Sequence, residues 1–563
     1  MTETHRFEAD VLIVGGGLAG LNAAIGAAEH GATVVVMEKA TIERSGDIAG
    51  GVDHFMAFLE EGEEWDTREA FLQYVGRIAR GAVNLKVQDA VFCREVRPAI
   101  ERMARIGNPL TQPDGTFYRT QSLGQPGPYF INFNGKNLKP LLGKEVRRLG
   151  CRVLDRVPVT SLLEQDGRVV GATGFHIRNG TFVVVNSKAT VLCTGNTNRL
   201  FETPTGMPFN TWLCPADTGT APAIALRAGA ALANMEYVRM TVVPKGFSAP
   251  GLNAFTGMGC RFVNASGEEF MTRYHPLGSK APRYKLAEGV MSEVRAGRGP
   301  VYLDCRHLSE QDLAHLKTTL GYDKDTLPDF ITQKGVDIAN GLLEIMLSEG
   351  MQAGPSEVCG SGVMIDERCA STLPGLYAAG DCADQTRCVH ASITGGYVAG
   401  REAARHALSS YSAAPPRKEQ IDMERERVFA PLKRKGGVPQ REFEDILRRI
   451  MTEHVGAVRT EQGLVTALSK LQKLTELAGS LRAEDLHELM RVHEAQELLT
   501  VGKVMAHAAL YRKESRFGVY HNRVDFPSTD DENWLGQVVV RQENGEIQLS
   551  FKPLSYEIPA REE

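Results

Sequence analysis

No apolar run in the sequence reaches the roughly 18 residues of a membrane span. The polar, acidic start, residues 1–10, offers no apolar stretch of the kind a secretion signal carries. Both absences set the expectation of a cytoplasmic protein without a membrane span. Basic residues are not in surplus: Lys and Arg number 64 against 69 Asp and Glu, a formal net charge of −5. A nucleic-acid-binding chain usually carries a basic excess or stripe, so no nucleic-acid partner is expected. The ten cysteines (Cys93, Cys151, Cys193, Cys214, Cys260, Cys305, Cys359, Cys369, Cys382 and Cys388) are scattered, with no C-x-x-C pair. Zinc or iron–sulfur ligation by one chain needs tighter spacing, so no metal site is expected and free thiols in a reducing compartment are the simpler account.

Glycine is what the chain has in quantity, 57 of 563 residues with no collagen period, which points to local backbone tasks. The apolar strand Ala9-Asp10-Val11-Leu12-Ile13-Val14 runs straight into Gly15-Gly16-Gly17-Leu18-Ala19-Gly20. A small-residue helix follows to Glu29, then a second apolar strand ending at Glu38. In strand, G-x-G-x-x-G, helix, strand, acid, the glycines give a tight turn, room for a pyrophosphate and close helix–strand packing. The helix N-terminus then faces the diphosphate with unpaired N–H groups. Glu38 follows Gly15 by 23 residues, where a ribose-binding carboxylate belongs.

Further along, residues 88–106 read as helix, and a Gly/Pro/Asn-rich stretch over 108–135 is long enough to be a functional loop or lid. Residues 235–349 mix short strands and helices and have the look of an inserted domain. Strand-like, glycine-punctuated sequence resumes at Gly375-Leu376-Tyr377-Ala378-Ala379-Gly380-Asp381, and Ala413-Ala414-Pro415-Pro416 marks a linker. Charge-rich helical sequence fills about 419–515, and two strands near Gln537 to Val540 and Ile547 to Phe551 close the chain.

Taken in order, Gly15 to Gly20, Glu38-Lys39, Arg44-Ser45-Gly46-Asp47-Ile48-Ala49-Gly50-Gly51, Ala189 to Gly195, Gly375 to Asp381, Gly400-Arg401 and Arg512 to Arg516 form one set. The chain resembles the flavoprotein subunits of succinate dehydrogenase and fumarate reductase over nearly its whole length. Glu43 to Gly46, Asn134-Gly135 with Lys139-Pro140, and Gly299-Pro300-Val301-Tyr302 are similar to the adenylylsulfate reductase alpha-subunit branch. The resemblance implies an α/β fold: an FAD-binding Rossmann-like domain (1–234 and 350–412), an inserted α+β capping domain (235–349), a helical domain (413–520) and a tail (521–563). It implies bound FAD, with Gly15, Gly17, Leu18, Ala19 and Gly20 at the diphosphate and Glu38 with Lys39 at the adenosine. Ser45, Gly46, Gly50, Val159, Thr194 and Gly195 would lie beside the cofactor, Asp381 at the ribityl chain, and Ser392-Ile393 at the flavin pyrimidine edge. Residues 44–51 contain no histidine to carry a covalent flavin link, so the FAD is expected to be noncovalent.

Two arginines keep the family spacing: Arg283 stands sixteen residues before Gly299, and Arg387 thirteen before Gly400. The resemblance assigns proton delivery to Arg283 and carboxylate clamping to Arg387, a task that suits a bidentate guanidinium. An arginine acid needs a desolvated site and a proton relay, since its pKa normally exceeds about 12; salt-bridge roles for both are the plainer alternative. Departures from the family pattern bear on the substrate. Glu357-Val358-Cys359-Gly360 replaces a histidine segment and Thr241-Val242 replaces His-Pro, so a carboxylate at Glu357 would repel a dicarboxylate and succinate or fumarate is not the expected substrate. His390 is a donor to flavin or substrate, or else a structural histidine, and Trp212 matches the adenylylsulfate branch or simply packs. Three functions stay open: hydride transfer between flavin and a small anionic substrate, adenylylsulfate reductase-like adduct chemistry, and an electron-relay subunit. The branch resemblance further implies that the partner is a ferredoxin-like iron–sulfur subunit.

Overall fold

The structure, a computed structural model, describes residues 3–323, 325–384, 387–409 and 415–560. Its centre is a seven-stranded sheet in the order Arg152–Asp155, Val34–Glu38, Thr4–Val14, Phe182–Leu192, Arg168–Phe175, Val159–Gln165, with Leu376–Ala378 also paired to Phe182–Leu192. The inner strands are parallel: Val11 faces Val34, Val14 faces Leu192 and Leu376 faces Thr190. Strands Arg168–Phe175 and Val159–Gln165 complete it as an antiparallel meander. Val11 to Val14 and Val34 to Met37 are buried on both faces, which is why they read as unbroken apolar runs rather than alternating ones.

Helix Leu18–Glu29 packs directly on the long helix Cys388–Ser409, and small residues make the approach possible. A Cβ added at Gly26 would meet the Tyr397 carbonyl oxygen at 2.5 Å, and at Gly396 and Gly400 it would overlap the carbonyl oxygens of Ala19 and Ala23. Gly400 of the Gly-Arg pair is therefore a packing residue, held by backbone contact rather than by chemistry.

The middle segment carries an antiparallel sheet in the order Val242–Pro244, Leu342–Leu347, Val301–Asp304, Arg261–Val263. A two-stranded ribbon, Val238–Arg239 against Met351–Gln352, stands next to it. Beyond residue 415 come helices Lys418–Lys433, Gln440–Val455, Glu461–Ala478 and Leu486–Tyr511. The linker residues Ala413 and Ala414 lie outside the described residues.

Two segments differ from the expectation. Residues 108–135 are not all loop: Arg119–Thr120 and Phe130–Asn132 pair in a three-stranded sheet with His54–Met56, because Phe130 and Ile131 are buried. The final hairpin, Gly536–Glu543 with Glu546–Pro553, contains the two strands expected there but is packed into the body rather than set apart as a tail. Its first strand pairs with Leu232–Ala233, which pairs with Gly362–Val363, and buried Val538 and Val540 hold it there.

Candidate functional site

The C-terminal ends of the parallel strands converge on one cavity of about 670 Å³, lined among others by Gly15, Glu38, Thr194 and Ala379. That is where an open parallel sheet places its ligand, and the volume falls in the ordinary range for small-molecule sites, roughly 300–1,000 Å³. The glycines of the first loop divide their work. Gly15 adopts φ +97°, and a Cβ there would collide with the Cys193 carbonyl; a Cβ at Gly20 would overlap the Gly15 carbonyl. Gly17 instead opens onto the cavity: a Cβ added there would have the Cys193 oxygen, 4.0 Å away, as its nearest contact. Leu18 and Ala19 begin the helix there and line the cavity, so its N-terminal N–H groups face the room beside Gly17. These are the features a diphosphate needs. Lys139 ties the loop down by donating to the Gly16 carbonyl and to Ser45 Oγ.

At one end the wall comes from helix Leu486–Tyr511, through His487, Met490, Arg491, His493, Glu494 and Glu497. Lys39 donates to Glu494 Oε1 at 2.9 Å and to the Ala216 carbonyl. Glu494 also receives Arg199 at 3.0 Å and Arg491 at 2.6 Å. Burial works against the Glu494 charge, yet Lys39, Arg199 and Arg491 hold its carboxyl down at about 2. This depressed value stabilises the fold above the ordinary glutamate value of 4.5, and that contribution disappears as pH falls from 4.5 through about 2. Glu494→Gln takes the shared carboxylate from Lys39, Arg199 and Arg491, leaving Arg199 only Glu444, and is expected to cost about 3 kcal/mol at neutral pH. In urea unfolding followed against pH, the gap between variant and parent should narrow below 4.5.

The other end is rich in guanidinium groups. Arg239, Arg283 and Arg387 line it with Glu357 and Trp212. Glu357 Oε1 accepts from Arg239 at 2.5 Å and from Arg283 Nε at 2.7 Å. Burial pushes the Glu357 carboxyl up, but the two guanidiniums bring it down to about 2. Arg283 is bonded on its remaining sides as well, to Thr241 Oγ1 and to Asn253 Oδ1, each at 2.6 Å. The Trp212 ring lies 5.2 Å from the Arg283 guanidinium. Arg387 differs. It is 1% exposed, and among the described residues its Nε and one terminal nitrogen have no hydrogen-bond partner; the carboxylate of Asp381 is 3.6 Å away. Leaving such donors unmet in a protein interior costs several kcal/mol unless a ligand meets them. Glu357 and Asp381 face these three guanidiniums, with Asp47 also acting on Arg387 and Asp53 close by on His54.

Of the residues singled out from the sequence, Gly15, Gly17, Leu18, Ala19, Glu38, Lys39, Ser45, Gly46, Val159, Thr194, Gly195, Asp381, Ser392, Arg283, Arg387 and Glu357 line this cavity. Gly20 and Ile393 pack behind it, and Gly50 is exposed. His390 also lies behind the wall, its ring 5.2 Å from Phe92 and 6.2 Å from Phe55, with neither nitrogen bonded among the described residues. Burial takes its pKa down to about 3, so it is uncharged. Glu38 does not point freely into the cavity: its carboxylate accepts the Gly16 and Ala40 N–H groups, each at 2.6 Å. Sequence reasoning missed Arg239, His54, Asn253, Asp217 and the helix Leu486–Tyr511, all of which line the cavity with their partners.

Comparison with known proteins agrees with this geometry. A family model described as an FAD binding domain matches residues 10–401, and one described as the fumarate reductase flavoprotein C-terminal region matches 444–562. One subunit of the fumarate reductase (CoM/CoB) of Methanothermobacter marburgensis is 28% identical over 573 residues, covering 96% of this chain and 98% of the relative. L-aspartate oxidase of Streptomyces coelicolor is 29% identical over 577 residues, covering 95% and 91%. The solved structure of adenylylsulfate reductase from Archaeoglobus fulgidus superimposes with a TM-score of 0.89 at 25% identity, covering 100% of this chain and 98% of that one. With the FAD model spanning well over half its length, the chain belongs to the succinate dehydrogenase/fumarate reductase family of flavoproteins, and its cofactor is FAD.

Proposed function

We propose that this FAD-dependent oxidoreductase transfers a hydride between flavin and a small organic monoanion held at Arg387, and that it works as the flavoprotein subunit of a complex with an iron–sulfur protein. The observation that carries the substrate reading is Arg387, buried at the cavity wall with donors that no group among the described residues meets. A carboxylate or similar oxyanion satisfies a guanidinium edge bidentately. One guanidinium with open donors suits a monoanion better than the dianions succinate and fumarate. Glu357 supports the same view, because it fills the faces of Arg239 and Arg283 that a second carboxylate would need.

Bound FAD supplies a two-electron carrier that exchanges hydride at N5 of its ring. Gly17 and the start of helix Leu18–Glu29 would hold its diphosphate, and Asp381 with the Ser392 segment the ribityl and pyrimidine parts. Arg387 anchors the substrate. Arg283 stands on the same cavity wall, braced on three sides by Glu357, Thr241 and Asn253, where it orients the substrate and stands in the place of proton delivery that the family resemblance assigns. Trp212 and the buried walls keep water away from the reacting centre, which strengthens every charge interaction inside. An electron-relay subunit would need flavin closed off from Arg283 and Arg387, and the cavity that contains both counts against it.

The test is an anaerobic screen of the flavin absorbance in which oxidised flavin meets 2-hydroxy acids, hydrogen sulfite or succinate, and reduced flavin meets 2-enoates or fumarate. Monoanions are expected to change the oxidation state; a response to dicarboxylates alone overturns the monoanion reading, and a response to sulfite alone favours adduct chemistry. Partner choice has its own check. Purification of the native complex is expected to yield an additional small polypeptide with brown iron–sulfur absorbance, and full turnover by this chain with FAD and a soluble acceptor alone would refute it.

A further inference from the structure

Asn253 faces two ways. Its Oδ1 accepts from Arg283 at 2.6 Å, and its Nδ2 donates to His54 Nε2 at 3.1 Å. His54 Nδ1 lies 2.5 Å from Asp53 Oδ1. An imidazole that gives its Nδ1 proton to Asp53 presents a lone pair at Nε2, and that lone pair is what the Asn253 N–H needs. Once Nε2 is protonated, both ring nitrogens are donors. The amide must then turn its oxygen toward His54, and its NH₂ group faces the Arg283 guanidinium, donor against donor.

We propose that Asp53 and His54 are positioning residues for Arg283: neutral His54 locks the Asn253 oxygen onto the guanidinium, and charged His54 turns the amide and frees that guanidinium edge for an anion in the cavity. This rests on reading Arg283 and Arg387 as an anion site. The four residues line one stretch of the cavity, and the His54 side chain keeps 14% exposure, enough to exchange a proton with solvent. Phe130 stands 4.5 Å from the ring and limits its movement. The charged and titratable groups facing His54 are Asp53 beside it, Asp323 at the end of helix Glu310–Asp323, Arg283 at the start of helix Arg283–Arg295, and His390 on helix Cys388–Ser409. Burial opposes the imidazolium, but Asp53 and then Asp323 outweigh it and hold His54 above the ordinary value of 6.5. His390, uncharged, takes no part near neutral pH.

The experiment uses the FAD-loaded full chain and acrylate as a monocarboxylate probe, which stays ionised from about pH 5.5 to about 9. Acrylate binding, read from the flavin absorbance, is expected to be about tenfold tighter on the acid side of an inflection above 6.5. His54→Gln keeps a side-chain amide to meet Asn253 but cannot titrate, so its profile should be flat within about twofold. Asn253→Asp presents an acceptor to both neighbours, holds His54 protonated and leaves nothing to turn; its profile should also be flat. An inflection that survives in either variant overturns the proposal, as does a flat parent profile. If that flat binding is abolished by Arg387→Ala, the anion site stands without the switch. If acrylate causes no Arg387-dependent change at any pH, the anion site and the inference fall together.

Discussion

Gly17→Val is expected to give a folded protein that holds no FAD, whereas Gly20→Val is expected not to fold. The two glycines sit three residues apart in one motif, yet their surroundings are opposite. Gly17 has φ −68° and ψ −171°, extended backbone that valine adopts without strain, and its missing side chain would project into the cavity. As the residue before helix Leu18–Glu29 it makes no side-chain cap bond, so the substitution removes none; a branched N-cap costs the helix only about 1 kcal/mol. What valine does remove is the room for a diphosphate at the helix N-terminus. Gly20 faces the Gly15 carbonyl, closer than any Cβ tolerates, and neither backbone can retreat because Gly15 already pairs with the second strand. Circular dichroism with the ratio of flavin to protein absorbance reads both results. The parent protein, precipitated with acid, should release yellow flavin to the supernatant. Flavin in the pellet refutes noncovalent binding, and a fully flavinated Gly17→Val refutes the placement of the diphosphate.

Arg387→Ala should keep the flavin spectrum but slow substrate-dependent flavin reduction by roughly 10²–10³, the usual loss for one positioned charge in a dry site. The same substitution is expected to leave thermal stability unchanged or higher, because it removes buried donors that no group among the described residues satisfies. Arg283→Ala should slow reduction to a similar degree but lower stability, since it leaves buried Glu357 with Arg239 as its one cation and takes a donor from Thr241 and from Asn253. Stopped-flow reduction beside thermal unfolding separates the two arginines. Normal turnover of the physiological substrate by both variants would mean that the hydride-transfer site lies elsewhere.

The difference between these arginines was not legible in the sequence, although their spacing was. The glycine loop can be read because its causes are local: a strand, a turn and a helix start lie within a dozen residues. Arg239 could not be read, since the carboxylate that gives it meaning, Glu357, is 118 residues away. Asn253 and His54 are 199 residues apart, and nothing in either neighbourhood announces the other. The charges of helix Leu486–Tyr511 misled in another way. In a run of Glu, Arg and His they suggest a solvated face, yet Glu494 and Glu497 are buried around Lys39 and against the cavity. His390 shows the converse: a histidine in a motif rich in functional residues, packed against Phe92 and Phe55.

The backbone contact between helices Leu18–Glu29 and Cys388–Ser409 ties two parts of the site together. Carbonyls wedged against Gly26, Gly396 and Gly400 leave no slack, so the glycine loop and the Arg387 segment hold a fixed spacing. Arg283 comes from the middle segment and Arg239 from the ribbon of Val238–Arg239 with Met351–Gln352, so the guanidinium end is assembled from separate stretches of chain. A bulky residue at Gly396 or Gly400, far from any substrate, would therefore misplace the cofactor loop and the anion anchor together.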